Sequence, residues 1–133
     1  MPARIRKGDR VVLVERSPLF QFAPSFLWVM SGSRRAGQIT ADVRGLRRRG
    51  IEVVEGSVEG IDPQRQRVMT SAGDLPYDRL VVALGAELAP ATLPGFAEAA
   101  HNLYALAGAE SANRALAGLE RGRVAILVSR LPY

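Results

Sequence analysis

The stretch "RVVLVERSPLF", residues 10–20, decides how the fold is read. It opens with four apolar residues, Val11-Val12-Leu13-Val14, closes on Glu15, and turns at Pro18. A short apolar run without alternation, bounded by a charge and a proline, reads as a strand covered on both faces, as in a parallel sheet. The oddity is its end: an ionisable side chain stands where the buried run stops.

Working outward, two more runs share this character, "LVVAL" at 80–84 and "VAILV" at 124–128. Further strands are expected at 51–55, 57–61 and 67–70. The stretch 57–78 differs from the rest, with polar alternation and turn residues at Asp62-Pro63 and Ala72-Gly73-Asp74. It reads as an antiparallel β excursion inserted before the chain re-enters the sheet at Leu80. A helix is expected at 41–49, capped by Thr40, with Val43 and Leu46 on one face and Gly50 as its stop. A second is expected at 111–121, with Ala112, Leu116 and Leu119 on one face before Gly122. The mixture predicts an α/β fold.

Composition narrows the function classes. The 133 residues are 47% hydrophobic and 23% charged, normal globular usage for one domain of ordinary size. There is no cysteine and His101 is the only histidine, so thiol chemistry is excluded within these residues and metal or histidine-base chemistry is poorly supplied. No apolar stretch reaches the roughly 20 residues that span a bilayer. The net charge of +5 rests on arginine, clustered at Arg34-Arg35 and at Arg44, Arg47, Arg48 and Arg49. Arginines in the last turn of a helix complement its dipole, and no aromatic residue interleaves with them as a base-stacking surface requires. Nucleic acid is therefore not expected as a partner.

The carboxylate at the strand end has a chemical use. In a dinucleotide fold an acid at the end of the second strand accepts hydrogen bonds from a ribose diol. Two neighbouring hydroxyl donors need an acceptor-only group on rigid backbone, and Glu15 supplies one. Together with "FAPSFLWVMSGSRR", "GIEVVEGSVEGID", "LPYDRLVVALGAE" and "RVAILVSRLPY", this resembles the FAD-dependent pyridine nucleotide-disulfide oxidoreductase superfamily, most of all its sulfide:quinone oxidoreductase and flavocytochrome c sulfide dehydrogenase branch. The likeness runs from about Asp9 to Tyr133.

The resemblance implies a Rossmann-like FAD/NAD(P)-binding domain with FAD as cofactor. By it, Glu15 holds the adenosine ribose with Arg16 beside it, and the backbone of Val58 pairs with the adenine edge. Ala83 and Gly85, in "VVALGAE", lie where the chain passes close to the cofactor, although Leu84 replaces the usual threonine. Pro24 and Ser25 are implied flavin neighbours, and Trp28 is read as a packing residue. The implied reaction takes electrons from a reduced sulfur donor through FAD to a quinone or cytochrome. The setting is cytoplasmic or peripheral to the inner membrane surface.

The dinucleotide fold also places a glycine-rich turn about 20 residues before the ribose acid. Only residues 1–14 precede Glu15 here, and they contain no such turn. The expectation is therefore a truncated fragment: a partial FAD-binding domain over 1–133, lacking the central first strand and phosphate turn, with the start of a second segment at about 123–133. Pyrophosphate is held by amides at a helix N-terminus, so such a piece is expected not to retain FAD or catalyse alone. The alternative is a non-catalytic remnant or complementing half that pairs with another chain or with itself.

Overall fold

The computed structural model describes residues 8–128. These fall into two compact units: one of the residues up to Phe20 with Ala41–Leu84, the other of Gln21–Thr40 with the residues from Gly85 onward. A short two-stranded ribbon pairs β2 (Leu19–Gln21) with β3 (Thr40–Asp42).

In the first unit, β1 (Val11–Glu15) lies parallel to β4 (Ile51–Glu55), in register from Val11 opposite Ile51 to Glu15 opposite Glu55. Parallel pairing of two apolar runs is what their lack of alternation predicts. The connection between them differs from expectation. Thr40 is in a strand rather than capping a helix, and a 3-10 helix spans Val43–Arg49. Its cap is Asp42, whose side chain accepts from the Arg44 amide at 2.9 Å. Val43 and Leu46 keep their shared half-buried face, because residues three apart eclipse in a 3-10 turn. Gly50 ends it at φ +80°, a left-handed conformation that favours glycine.

The expected antiparallel excursion is a three-stranded sheet of β5 (Val58–Asp62), β6 (Arg67–Thr70) and β7 (Leu75–Pro76). Val68 and Thr70, two apart on β6, are buried while their neighbours face water, the period of a sheet with one covered face. Burying Val53 of β4 and Val68 contributes about 1.5–3 kcal/mol each.

The runs at 80–84 and 124–128 correct the reading. Neither forms a strand among the described residues. Val81 is 87% exposed, Leu84 76% and Ile126 79%. Apolar composition favours a covered strand, but a strand also needs a neighbour for its amides and carbonyls. No described segment pairs with either run.

The second unit packs α1 (Phe26–Met30) against α3 (Leu106–Ala117), with α2 (Phe96–Ala99) between them in sequence. Phe26, Val29, Ile39 and Ala109 form its core, with Met30 and Leu106 against it. The expected helix at 111–121 thus begins earlier and ends at Ala117. Its buried face carries Ala109 and Ala112, while Leu116 and Leu119 are exposed. Gly108 is a poor helix former. Here it brings the helix against the Asn102 backbone, a contact with no room for a Cβ.

Candidate functional site

The C-terminal end of the β1–β4 pair gathers the polar groups of the first unit. Glu15 and Glu55 are register partners, placed side by side on strands about 4.8 Å apart. Their surroundings differ. Arg44 and Arg47 each approach Glu55 at 4.0 Å, and Arg47 also donates to the Val53 carbonyl at 2.9 Å. No ion pair among the described residues reaches Glu15. Its Oε1 accepts from the Ser17 amide at 3.2 Å, which steadies the carboxylate over the turn at 16–18. Glu15 is half-buried and Arg16 exposed.

The backbone next to Glu15 is held by a glycine. The Gly56 amide donates to the Glu15 carbonyl at 3.1 Å. A Cβ at Gly56 would lie 3.0 Å from Ser71 Oγ and 3.3 Å from Ala72 Cβ, so a larger residue would push β4 away from the turn that follows β6. Gly56 and Ser57 then lead directly into Val58, which pairs with Thr70. The register shifts between Val58 and Gly60, and such a bulge leaves its extra residue out of the ladder. Val58 thus begins β5 two residues beyond the Gly56 amide that bonds the Glu15 carbonyl. Glu55 and Gly56 were not singled out from the sequence. The signal for them was there, since "IEVVE" closes on an acid as "VVLVE" does.

One ion pair is tight. Arg44 meets Asp42 through Nε at 2.9 Å and NH2 at 2.6 Å. The Arg44 side chain, and then its amide, holds the Asp42 carboxyl below its ordinary value; the same contact raises the Arg44 guanidinium.

The remaining candidates are spread over the chain. Ala83 is in the first unit, in the exposed run at 80–84. Gly85, in the second, has φ +70°, and a Cβ there would meet no protein atom within 4 Å. What the protein demands there is a backbone conformation rather than space. Pro24 is exposed, whereas Ser25 is 3% exposed and turned into the protein. Trp28 is not a core residue: it is 51% exposed, with the Arg34 guanidinium 5.7 Å from its ring centroid. Among the described residues no group of acidic or histidine side chains is arranged to hold a metal ion, and no helix is long and apolar enough to cross a membrane.

A parallel strand pair ending in a free carboxylate, followed by a three-stranded antiparallel sheet, defines a partial Rossmann-like α/β domain of the FAD/NAD-binding kind. The chain belongs to the pyridine nucleotide-disulphide oxidoreductase family, whose model matches residues 2–127. Among solved structures it is similar to the sulfide:quinone oxidoreductase of the hyperthermophilic bacterium Aquifex aeolicus, with 27% identity and a TM-score of 0.72 over 81% of this chain and 25% of that one. It is also similar in fold to NDH2 from Plasmodium falciparum in complex with NADH, with 18% identity and a TM-score of 0.63 over 80% of this chain and 24% of that one. NDH2 in complex with RYL-552 gives 17% identity and a TM-score of 0.65, over 81% and 24% of the two chains. The chain thus spans about a quarter of the length of the structures it matches.

Proposed function

We propose that this chain is a fragment supplying the adenosine-side wall, and part of the flavin-side wall, of an FAD site in a flavin-dependent oxidoreductase of sulfide:quinone oxidoreductase type. The complete protein would pass electrons from a reduced sulfur donor through FAD to a quinone or cytochrome, in the cytoplasm or at the inner membrane surface. The observation that carries this reading is the Glu15 carboxylate, free of any ion pair among the described residues and beside the Gly56–Val58 backbone. It is supported by the 27% identity to the Aquifex aeolicus enzyme.

The residues present fit half of the cofactor. Glu15 would accept hydrogen bonds from the two ribose hydroxyls, and its local bond to the Ser17 amide orients it without neutralising it. The Val58 backbone would face the adenine edge, with Arg16 at the rim. Ala83 and Gly85 would line the approach of the chain to the cofactor. Of the flavin-side pair, exposed Pro24 is the better placed to touch a ligand; buried Ser25 would act by holding the turn. The 133 residues contain no G-x-G-x-x-G run to cradle the phosphates. FAD, when bound, supplies two-electron redox chemistry, and protein groups position it and set its electrostatics. With no cysteine present, sulfur transfer through a thiol is not a task of these residues.

Titration of the 133-residue chain with ADP and with FAD tests this. We expect weak, saturable ADP binding, no flavin retained on purification, and about tenfold weaker ADP binding in Glu15→Gln, from loss of a charge-assisted hydrogen bond. Equal ADP affinity in the variant would remove Glu15 from the site. Stoichiometric yellow flavin in the purified chain would show that it holds the cofactor unaided.

A second reading, a non-catalytic half that pairs with another chain or with itself, is favoured by the exposed apolar run around Val81 and Leu84. Light scattering after size-exclusion chromatography separates the two, since a compact monomer at every concentration argues against pairing.

A further inference from the structure

Within the second unit, α1, the loop that follows it and α3 line an open cavity of about 390 Å³, the size of a small-ligand cleft. Val29, buried in the core, forms its apolar floor, and Arg34, Arg35 and Arg114 line it. Glu110 is the only acidic side chain at the cavity. Among the described residues no ion pair engages any of these arginines or Glu110. Arg10, Arg44, Arg47, Arg65 and Arg67 each face a carboxylate; what sets Arg34, Arg35 and Arg114 apart from the other arginines outside any ion pair is that they line one cavity.

The cavity lies past the C-terminus of α1, where unpaired carbonyls would repel an anion. Here they are all taken. Leu27 O accepts from the Ser31 amide, Trp28 O from the Arg34 amide, Val29 O from the Gly32 amide and Met30 O from Asn113 Nδ2, each at 3.0 Å. Ser31 and Ser33 hydroxyls add bonds to Trp28 O at 3.2 Å. The negative end of the helix is thus covered by donors, and the guanidiniums dominate the field in the cavity. Gly32 keeps it open: at φ +76° a Cβ would lie 3.1 Å from Asn113 Nδ2.

The geometry points to a binding site for a multivalent oxyanion of the phosphate class, held by Arg34, Arg35 and Arg114 between α1 and α3. Planar guanidiniums suit that chemistry because each can give two parallel N–H bonds to adjacent oxygens. This site is independent of the FAD reading and involves none of its residues.

Trp28 is the only tryptophan, and Arg34 lies over it, so its emission reports on Arg34. The test titrates the 133-residue chain at low ionic strength with inorganic phosphate, then with pyrophosphate. In parallel arms it uses phosphatidylcholine vesicles with and without phosphatidylglycerol. A saturable change in Trp28 emission is expected, about tenfold weaker in Arg35→Gln and in Arg114→Gln and tighter in Glu110→Gln, which removes the opposing charge. Arg48→Gln, outside the cavity, should leave it unchanged. Saturation by free phosphate assigns the site to soluble anions. A response to phosphatidylglycerol vesicles alone, with the same variant pattern, assigns it to a lipid headgroup. No response in either arm, or an equal loss in Arg48→Gln, would overturn the site. The Glu110→Gln gain cannot arise from a misfolded variant.

Discussion

Single side chains here act mainly through local geometry. Thr70 is buried, donates to the Gly73 carbonyl at 2.6 Å and accepts from the Ala72 amide at 3.1 Å, so its hydroxyl closes the turn after β6. Thr70→Val keeps the shape and removes both bonds. It should cost about 1 kcal/mol in urea unfolding, because the exposed turn amides can still reach water. Asp42 gives a pH dependence. Its carboxyl titrates below the ordinary value because of Arg44. The stabilisation is therefore complete above the unfolded-state pKa and is lost as pH falls through the lower folded value. Urea midpoints measured between about pH 5 and pH 2 should fall less steeply in Asp42→Asn than in the parent. As for Glu15, its place at a strand end could be read from "VVLVE" alone. Its freedom from arginine could not, since the guanidiniums nearby come from residues some thirty positions away and settle on Glu55 instead.

Among the elements, those whose signals are local came through and those that depend on distant packing shifted. The parallel β1–β4 pair and the sheet at 58–76 follow from apolar runs, alternation and turn residues. The helix expected at 41–49 is a strand end followed by a 3-10 helix, because Asp42 competes with Thr40 as a cap and Gly45 lowers the α-helical preference. The last helix was displaced because Gly108 reads as a breaker, while its packing against Asn102 makes glycine the residue that fits. That packing reverses an ordinary rule. Gly→Ala inside a helix stabilises by about 1 kcal/mol, yet Gly108→Ala should destabilise by about 1–3 kcal/mol through overpacking against backbone. Thermal and urea unfolding of that variant beside Gly118→Ala, where a Cβ meets only ordinary contacts at 3.7 Å and beyond, isolates the effect.

Taken whole, the chain leaves much apolar surface in water. Val81, Leu84, Ile126 and Leu127 are each more than two-thirds exposed, and runs of this kind promote association. The paired substitutions Val81→Lys and Ile126→Lys should lower association and dye binding to apolar surface, with unfolding midpoints nearly unchanged, since neither residue is packed. Light scattering across a concentration series checks the first and urea unfolding the second. A large loss of stability would instead mean that these runs are covered in solution.

Hydropathy and turn residues were enough to predict an α/β fold with an antiparallel excursion, and the motifs around Glu15 carried the resemblance to the family, because each of those signals is carried by a few neighbouring residues. Tertiary structure alone decided which apolar runs become strands, which carboxylate keeps its charge uncompensated, and that three arginines from two helical regions face one cavity. A hydrogen-bonding neighbour, a counter-ion and a cavity wall all come from parts of the chain far apart in sequence, and no local pattern encodes whether they meet.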